Sequence, residues 1–292
     1  MASLFARMGL LRQPPKAWFT RTAGDAAHGV ELTYLGTAGF VLKAQGRTIV
    51  LDPYLSRPGI AKLLTGPLRC NEALLARHIP RADDVFVGHA HFDHVLDSPA
   101  LCLRTGARLI GSRAVCMVGR AAGVPEAQLL ETAGREDIAS GPITVRGLPS
   151  KHGKVLFGRV PFPGDITDPP PWPPLIHQLR HGLVLNWLVK VGGFSLVHVD
   201  SAEVLNHELH GHQADVVCLC AAGWRTRPDY VADVVRLLKP RFVLACHWDT
   251  MITPFEAPME MIPNVDLGGL LRQIRAVGAE PLLLPQRASW SF

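Results

Sequence analysis

Apolar positions along the 292-residue chain fall into two rhythms, one of period two and one of three to four. In "VELTYLG", Val30, Leu32 and Tyr34 alternate with polar partners, the pattern of a half-buried strand. "GFVLKAQ" and "RTIVLD" follow, with Gly36 and Gly46 as punctuation, so three short successive strands are predicted. "DVFVG" reads as a buried strand ending at Gly88, and "ARLIG" and "ITVRGLP" as further strands. After residue 182 come "LVLNWLVKV" and "FSLVHVD" around the turn Gly192-Gly193, then "ADVVCLCAAG" and "RFVLACHW".

The helical rhythm is carried by four segments. Asp97-Ser98-Pro99 opens one, with Gly106 as its stop. A second covers about 112–121. A third opens at Thr226, Pro228 and Asp229, sets Val231, Val234, Val235 and Leu238 on one face, and ends at Lys239-Pro240. In the last, Asp266 caps a helix with Leu267, Leu270, Leu271 and Ile274 on its buried side and Gly278 as terminator. A block of strands followed by strand–helix alternation predicts one mixed α/β domain over 30–292, preceded by an arm over 1–29.

One region breaks both rhythms. The stretch of about 156–182 holds seven prolines and cannot be a regular core element. Phe162, Trp172 and Leu175 need something to pack against, which favours an ordered loop, a candidate lid, over a disordered linker. The arm "MASLFARMGLLRQPPKAWFTR" is basic and weakly amphipathic. Arg7 and Arg12 interrupt its apolar piece, which argues against a signal peptide and leaves a docked arm or a peripheral anchor to anionic lipid.

Composition narrows the class. Apolar residues make up 48% and charged residues 19%, enough for a sizeable core. The net charge of +5 suits an anionic small molecule and is too small to predict nucleic-acid binding. No apolar run reaches the roughly 18 residues of a membrane span. The six cysteines form no CxxC pair and read as buried thiols, which points to a reducing, cytoplasmic compartment, membrane-peripheral if the arm anchors. Oligomeric state is not legible.

The chemistry concentrates in "GHAHFDHVLD", where His89, His91, Asp93 and His94 fall within six positions at the end of a predicted strand. Neutral imidazole and carboxylate suit a borderline divalent ion such as Zn²⁺. A surface histidine cluster is the alternative. Two ions need more ligands than this loop holds, and His152, Asp200 and His247 each end an apolar strand. Singly each is weak; as an ordered set they are strong.

This ordered set resembles the metallo-β-lactamase superfamily. "ELTYLGTAGFVLKAQGRTIVLDPY", with its Asp52-Pro53 strand end, looks like the branch of ascorbate-phosphate lactonase-type and N-acyl phosphatidylethanolamine phospholipase D-type enzymes. A histidine common after the first strand's glycine is replaced here by Thr37. The resemblance implies a four-layer αββα sandwich with two divalent ions, Zn²⁺ foremost and Mn²⁺ or Fe admitted. It implies His89, His91 and His152 on the first ion and Asp93, His94 and His247 on the second. Asp200 would bridge them, and Asp52 would orient a ligand from behind.

Such a site implies hydrolysis of an ester, lactone or phosphodiester by a hydroxide held between the ions, with Asp93 and Asp200 as the catalytic carboxylates. A His-x-Glu-x-Asp motif, expected of redox di-iron members, is not present, since His91 takes the middle position. Only about 47 residues separate Asp200 from His247, too few for the inserted domain of the nuclease branch. Trp224, Arg225 and Arg227 in "AAGWRTRP", and Trp248, Asp249 and Thr250 after the last ligand, are candidate substrate contacts. Two other readings stay open: a phospholipase D-like enzyme on a lipid phosphodiester, and a non-catalytic metal binder. "HELHGH" (His207–His212) lacks the spacing of a HExxH zinc site and reads as surface groups. His198 reads as a core histidine near the cleft.

Overall fold

Side-chain alternation on the first strands already encodes a layered structure. On β2 (Gly39–Ala44) and β3 (Arg47–Leu51), Phe40, Leu42, Ile49 and Leu51 enter one buried cluster, while Val41 and Val50 enter another. β4 (Asp84–Val87) divides the same way, Phe86 to the first cluster and Val85 and Val87 to the second. A strand buried on both faces must have a layer on each side. The protein, described from a computed structural model over residues 12–20, 24, 26–155 and 157–292, builds those layers as two seven-stranded sheets between helices.

The first sheet runs β14-β1-β2-β3-β4-β5-β6, with β1 at Val30–Gly36, β5 at Arg108–Gly111, β6 at Leu129–Glu131 and β14 at Ser289–Ser291. The second runs β13-β12-β11-β10-β9-β8-β7. Its strands are β7 (Asp137–Ser140), β8 (Ile143–Ser150), β9 (Val184–Val191), β10 (Phe194–Val199), β11 (Val216–Cys220), β12 (Phe242–Cys246) and β13 (Glu280–Leu282). Helices α1 (Ile60–Thr65), α2 (Glu72–His78), α3 (Phe92–Val95), α4 (Ser98–Thr105) and α5 (Arg113–Ala121) belong to the first half of the chain. Leu75, Leu101, Val115 and Val118 from this group bury with Val85 and Val87. After α6 (Asn206–Leu209), α7 (Tyr230–Leu238) and α8 (Leu267–Ala276) cover the second sheet. This is the αββα sandwich.

The predicted helices form at the expected positions. α4 closes on Gly106 at φ +76°, and Asp266 accepts from Gly269 N to cap α8. Val231, Val234, Val235 and Leu238 are the buried face of α7. α1 and α2 are elements that periodicity does not announce. The cysteines are free; five are buried and Cys70 is half-buried rather than fully enclosed. No helix among the described residues is long and apolar enough to cross a membrane.

Residues 1–11, 21–23 and 25, and with them the anchor expected around Arg7, lie outside the described residues. Residues 12–20 dock: Thr20 N donates to Leu283 O at 2.8 Å, and the Phe19 ring sits 6.2 Å from that of Trp248. The proline-rich stretch is irregular apart from a 3₁₀ turn at Ile176–Gln178, yet it is packed. Ile166 and Leu179 are buried, Trp172 leans on the same cluster, and Leu68 N donates to Pro174 O at 2.7 Å.

Candidate metal centre

Strand direction gathers the site. β8 and β10 both run antiparallel to β9, so they run parallel to each other, and β11 and β12 continue in that sense. Their carboxyl ends therefore share one edge. His152 follows β8, Asp200 follows β10 and His247 follows β12. From the first sheet, β4 delivers His89 and His91, then α3 turns Asp93 and His94 back toward them. Clefts outside the carboxyl ends of strands are where open α/β sheets bind ligands.

Ligand atoms meet in four overlapping sets, each within 4.8 Å: His89, His91 and His152; His89, His94 and Asp200; Asp93, His94 and His247; and, behind these, Asp52, His198 and Asp200. His89 Nε2 lies 2.9 Å from His91 Nδ1, and His89 Nδ1 lies 2.5 Å from Asp200 Oδ2. His94 Nδ1 is 3.0 Å from Asp200 Oδ1, and His247 Nε2 is 3.2 Å from Asp93 Oδ2. Close approach of the two sheets depends on Gly88, where a Cβ would fall 2.2 Å from Asp200 Cγ.

Electrostatics explain why this cluster suits cations. Burial pushes His89 well down, His91 to about 3 and His152 to about 4, leaving neutral imidazoles with free lone pairs. For Asp93 and Asp200 burial opposes ionisation, but the neighbouring imidazoles outweigh it and hold both below the usual carboxylate range: His94, His247 and His91 around Asp93, His89 and His94 around Asp200. Burial works against a charged His94, yet Asp200, Asp52 and Asp93 together raise it well above an ordinary histidine. Burial and the Asp200 charge push Asp52 up. His91 Nε2, His247 Nδ1 and Asp200 Oδ1 are buried with no hydrogen-bond partner. Buried polar atoms left unpaired call for an explanation, and divalent ions among neutral imidazoles and carboxylates supply one. The residues present fit such ions.

A supporting layer stands behind. Asp52 Oδ2 lies 3.1 Å from His94 Nδ1, and Oδ1 accepts from Gly88 N at 2.8 Å. A histidine ligand held from its other nitrogen keeps its orientation. His198 is fully buried, with Nε2 2.9 Å from Ala38 O and Nδ1 3.8 Å from Asp52. Backbone strain is present here too: Thr37, Asp52 and His247 have φ of +49°, +42° and +54°, uncommon for residues with a Cβ. His247 N donates to Thr37 O at 2.6 Å, tying two of them together.

Several expected substrate contacts are not placed to touch a ligand. Trp248 and Asp249 are 0% exposed. The Asp249 carboxylate is taken by Tyr34 Oη (2.7 Å), Thr37 N (2.8 Å) and Arg57 Nη2 (2.9 Å). The chain reverses at His247 and enters the core instead of lining the cleft. Thr250 is likewise buried, its hydroxyl against Thr253. Arg225 is exposed and lies 3.6 Å from Asp266, and Arg227 is held by Glu203 and Asp233. Trp224 is half-buried with Nε1 unpaired, on a turn next to the His152 loop, where Thr226 Oγ1 donates to Lys154 O. His207 to His212 join none of the ligand sets found among the described residues.

One neighbour of the cluster carries no sequence signal. His181, at the end of the proline-rich stretch, sets its ring 5.7 Å from His91 and 5.8 Å from His152. It follows no strand and belongs to no motif, so only the fold brings it in. Phe162, on the same proline-rich stretch, is 6.3 Å from the His91 ring.

Known proteins share this arrangement of chain. Residues 31–247 match the family described as "Beta-lactamase superfamily domain". A UPF0173 metal-dependent hydrolase of Anaeromyxobacter dehalogenans (strain 2CP-1) is 32% identical over 250 residues, covering 81% of each chain. One of Thermococcus kodakarensis is 29% identical over 227 residues, covering 76% of this chain and 85% of its own. In fold, the chain is similar to Igni18, a metallo hydrolase of Ignicoccus hospitalis (TM-score 0.56, 16% identity, 90% of this chain and 98% of that one). It is similar also to CmlA, a diiron beta-hydroxylase of Streptomyces venezuelae (TM-score 0.58, 19% identity, 99% of this chain and 59% of that one). The fold alone thus serves more than one chemistry.

Proposed function

The chain belongs to the beta-lactamase superfamily and is a metal-dependent hydrolase, and on that premise we propose that it works with two divalent ions on an ester, lactone or phosphodiester of a small anionic substrate. The observation that carries this reading is the pair of ligand sets, His89/His91/His152 and Asp93/His94/His247, with Asp200 against His89 and His94 between them. Zn²⁺ suits the donors best, and the carboxylates admit Mn²⁺ or Fe. Bound there, the ions supply Lewis acidity and a water of lowered pKa.

The chain's own residues set the rest. Asp93, ionised beside His247, is placed to accept a proton at Oδ2 and to pass it to a leaving group. Asp200 holds negative charge between the two sets, and Asp52 fixes the His94 ring from behind. Burial of the cluster excludes bulk water and strengthens each of these interactions. The basic balance of the chain favours an anionic substrate.

A phospholipase D-like action on a lipid phosphodiester is the second reading. Under that reading Phe157, 99% exposed in the turn that follows the His152 loop, is where an acyl chain would lie. Elemental analysis of the purified protein and of Asp93→Ala, both assayed on a generic phosphodiester, lactone and ester, tests the proposal. About two equivalents of Zn or Mn, with turnover lost in the variant, are expected. Iron with a visible absorption band and no hydrolysis would replace it with oxidative chemistry. Bound metal with no turnover of any of the three would leave a non-catalytic binder.

A further inference from the structure

Resting on the metallohydrolase reading, we propose that His181 is a specificity-determining substrate contact. With Phe162 it forms the wall of the site beside His91 and His152. Its Nε2 accepts a hydrogen bond from a substrate hydroxyl or amide N–H, and Phe162 packs on an adjoining apolar group.

Three observations lead here. First, His181 stands at the ligand set without joining it. Its ring is 5.7 Å from His91 and 5.8 Å from His152, yet it belongs to none of the ligand sets among the described residues. Second, its Nδ1 is hydrogen-bonded to Gly182 O. A carbonyl only accepts, so Nδ1 carries a proton, and in the neutral ring Nε2 keeps the lone pair. The residue is half-buried, and among the described residues no protein group is hydrogen-bonded to its Nε2, whereas His198 Nε2 lies 2.9 Å from Ala38 O. Third, the wall is fixed. His181 O accepts from Ala90 N at 3.0 Å, between two ligands, and Gly182 N donates to Gly164 O at 3.0 Å, clamping the loop that carries Phe162. A preorganised acceptor beside an apolar ring selects substrates by what adjoins the reacting group.

The test reads binding, not turnover. Butyrate and 2-, 3- and 4-hydroxybutyrate serve as anionic probes for the metal-loaded native protein and for His181→Ala and Phe162→Ala, by calorimetry, with metal content measured on each sample. The native protein is expected to bind at least one hydroxybutyrate about two- to tenfold more tightly than butyrate, the range of one hydrogen bond. His181→Ala is expected to keep its metal and lose that preference. Phe162→Ala is expected to keep the preference while binding every probe more weakly. A preference unchanged in His181→Ala, or absent from the metal-loaded native protein, overturns the assignment and leaves the hydrolase reading standing. A native protein that takes up no metal overturns the hydrolase reading itself.

Discussion

Two buried polar clusters meet at His247, and they are built on opposite plans. On one side, Asp249 is matched atom for atom: Oδ1 by Tyr34 and Thr37 N, Oδ2 by Arg57, whose guanidinium also reaches Thr250 O and the face of Phe255. Only Arg57 Nε is left over. On the other side, imidazoles crowd nitrogen against nitrogen, and buried atoms of His91, His247 and Asp200 have no partner. Both clusters are equally buried, so burial does not separate them. What separates them is whether the protein completes the hydrogen bonding itself. A closed network serves the fold, and an open one is completed by something from outside.

The sharpest way to break this contrast is Asp249→Ala. Removing one partner of a buried ion pair strands the other, so a loss of about 3–5 kcal/mol in urea unfolding is expected, the same with metal or after chelation. An effect that vanishes on chelation would place Asp249 in the metal site. Next comes metal removal. At free metal a hundred times its dissociation constant, bound ion stabilises by about 2.7 kcal/mol per site. EDTA should therefore lower the melting temperature of the native protein, while His91→Ala, already unable to hold its ion, should respond less. A third test is Asp52→Asn, which keeps the shape and weakens the hold on His94. A drop of about ten- to a hundredfold in metal affinity is expected by competition with a chromogenic chelator.

The last test is acid on the metal-free protein. His91, His152 and His198 are held by burial at about 3, 4 and 4, below the ordinary 6.5, and His89 is lowered too. The unfolded chain therefore takes up protons first as pH falls, and the stability held above 6.5 is lost through the window down to about 4. His94, raised by its three carboxylates, acts the other way and offsets part of the loss. Each lowered group contributes on the order of 1.4 kcal/mol per pH unit within that window. Unfolding midpoints at pH 7.5 and 5 should fall with acid, and a rise would mean that His94 dominates.

Much of this was legible in the sequence, and unevenly. The run from His89 to His94 announces itself because one short segment carries four ligand residues. His152, Asp200 and His247 each look ordinary alone and were readable only as strand ends in series. The amphipathic helices α7 and α8 were legible from period and caps. α1 and α2 were not, because they are short and flanked by Gly and Pro; Asn71, whose side chain accepts from Leu74 N, was the one available signal. Trp248 and Asp249 misled because nearness in sequence to a ligand says nothing of direction. The left-handed backbone of His247 sends the chain inward. His181 was silent because its position is made by the packing of a loop without period.

The sets His89/His91/His152 and Asp93/His94/His247 each take two residues from the segment after β4 and one from a strand end of the opposite sheet. An ion seated in either set would rivet the two halves of the sandwich together at one edge. Widening that edge to admit a larger substrate would then stretch a coordination bond. Reach and grip are coupled through the same few atoms: variants selected for bulkier substrates should leak metal, and variants that hold metal harder should accept a narrower range of molecules.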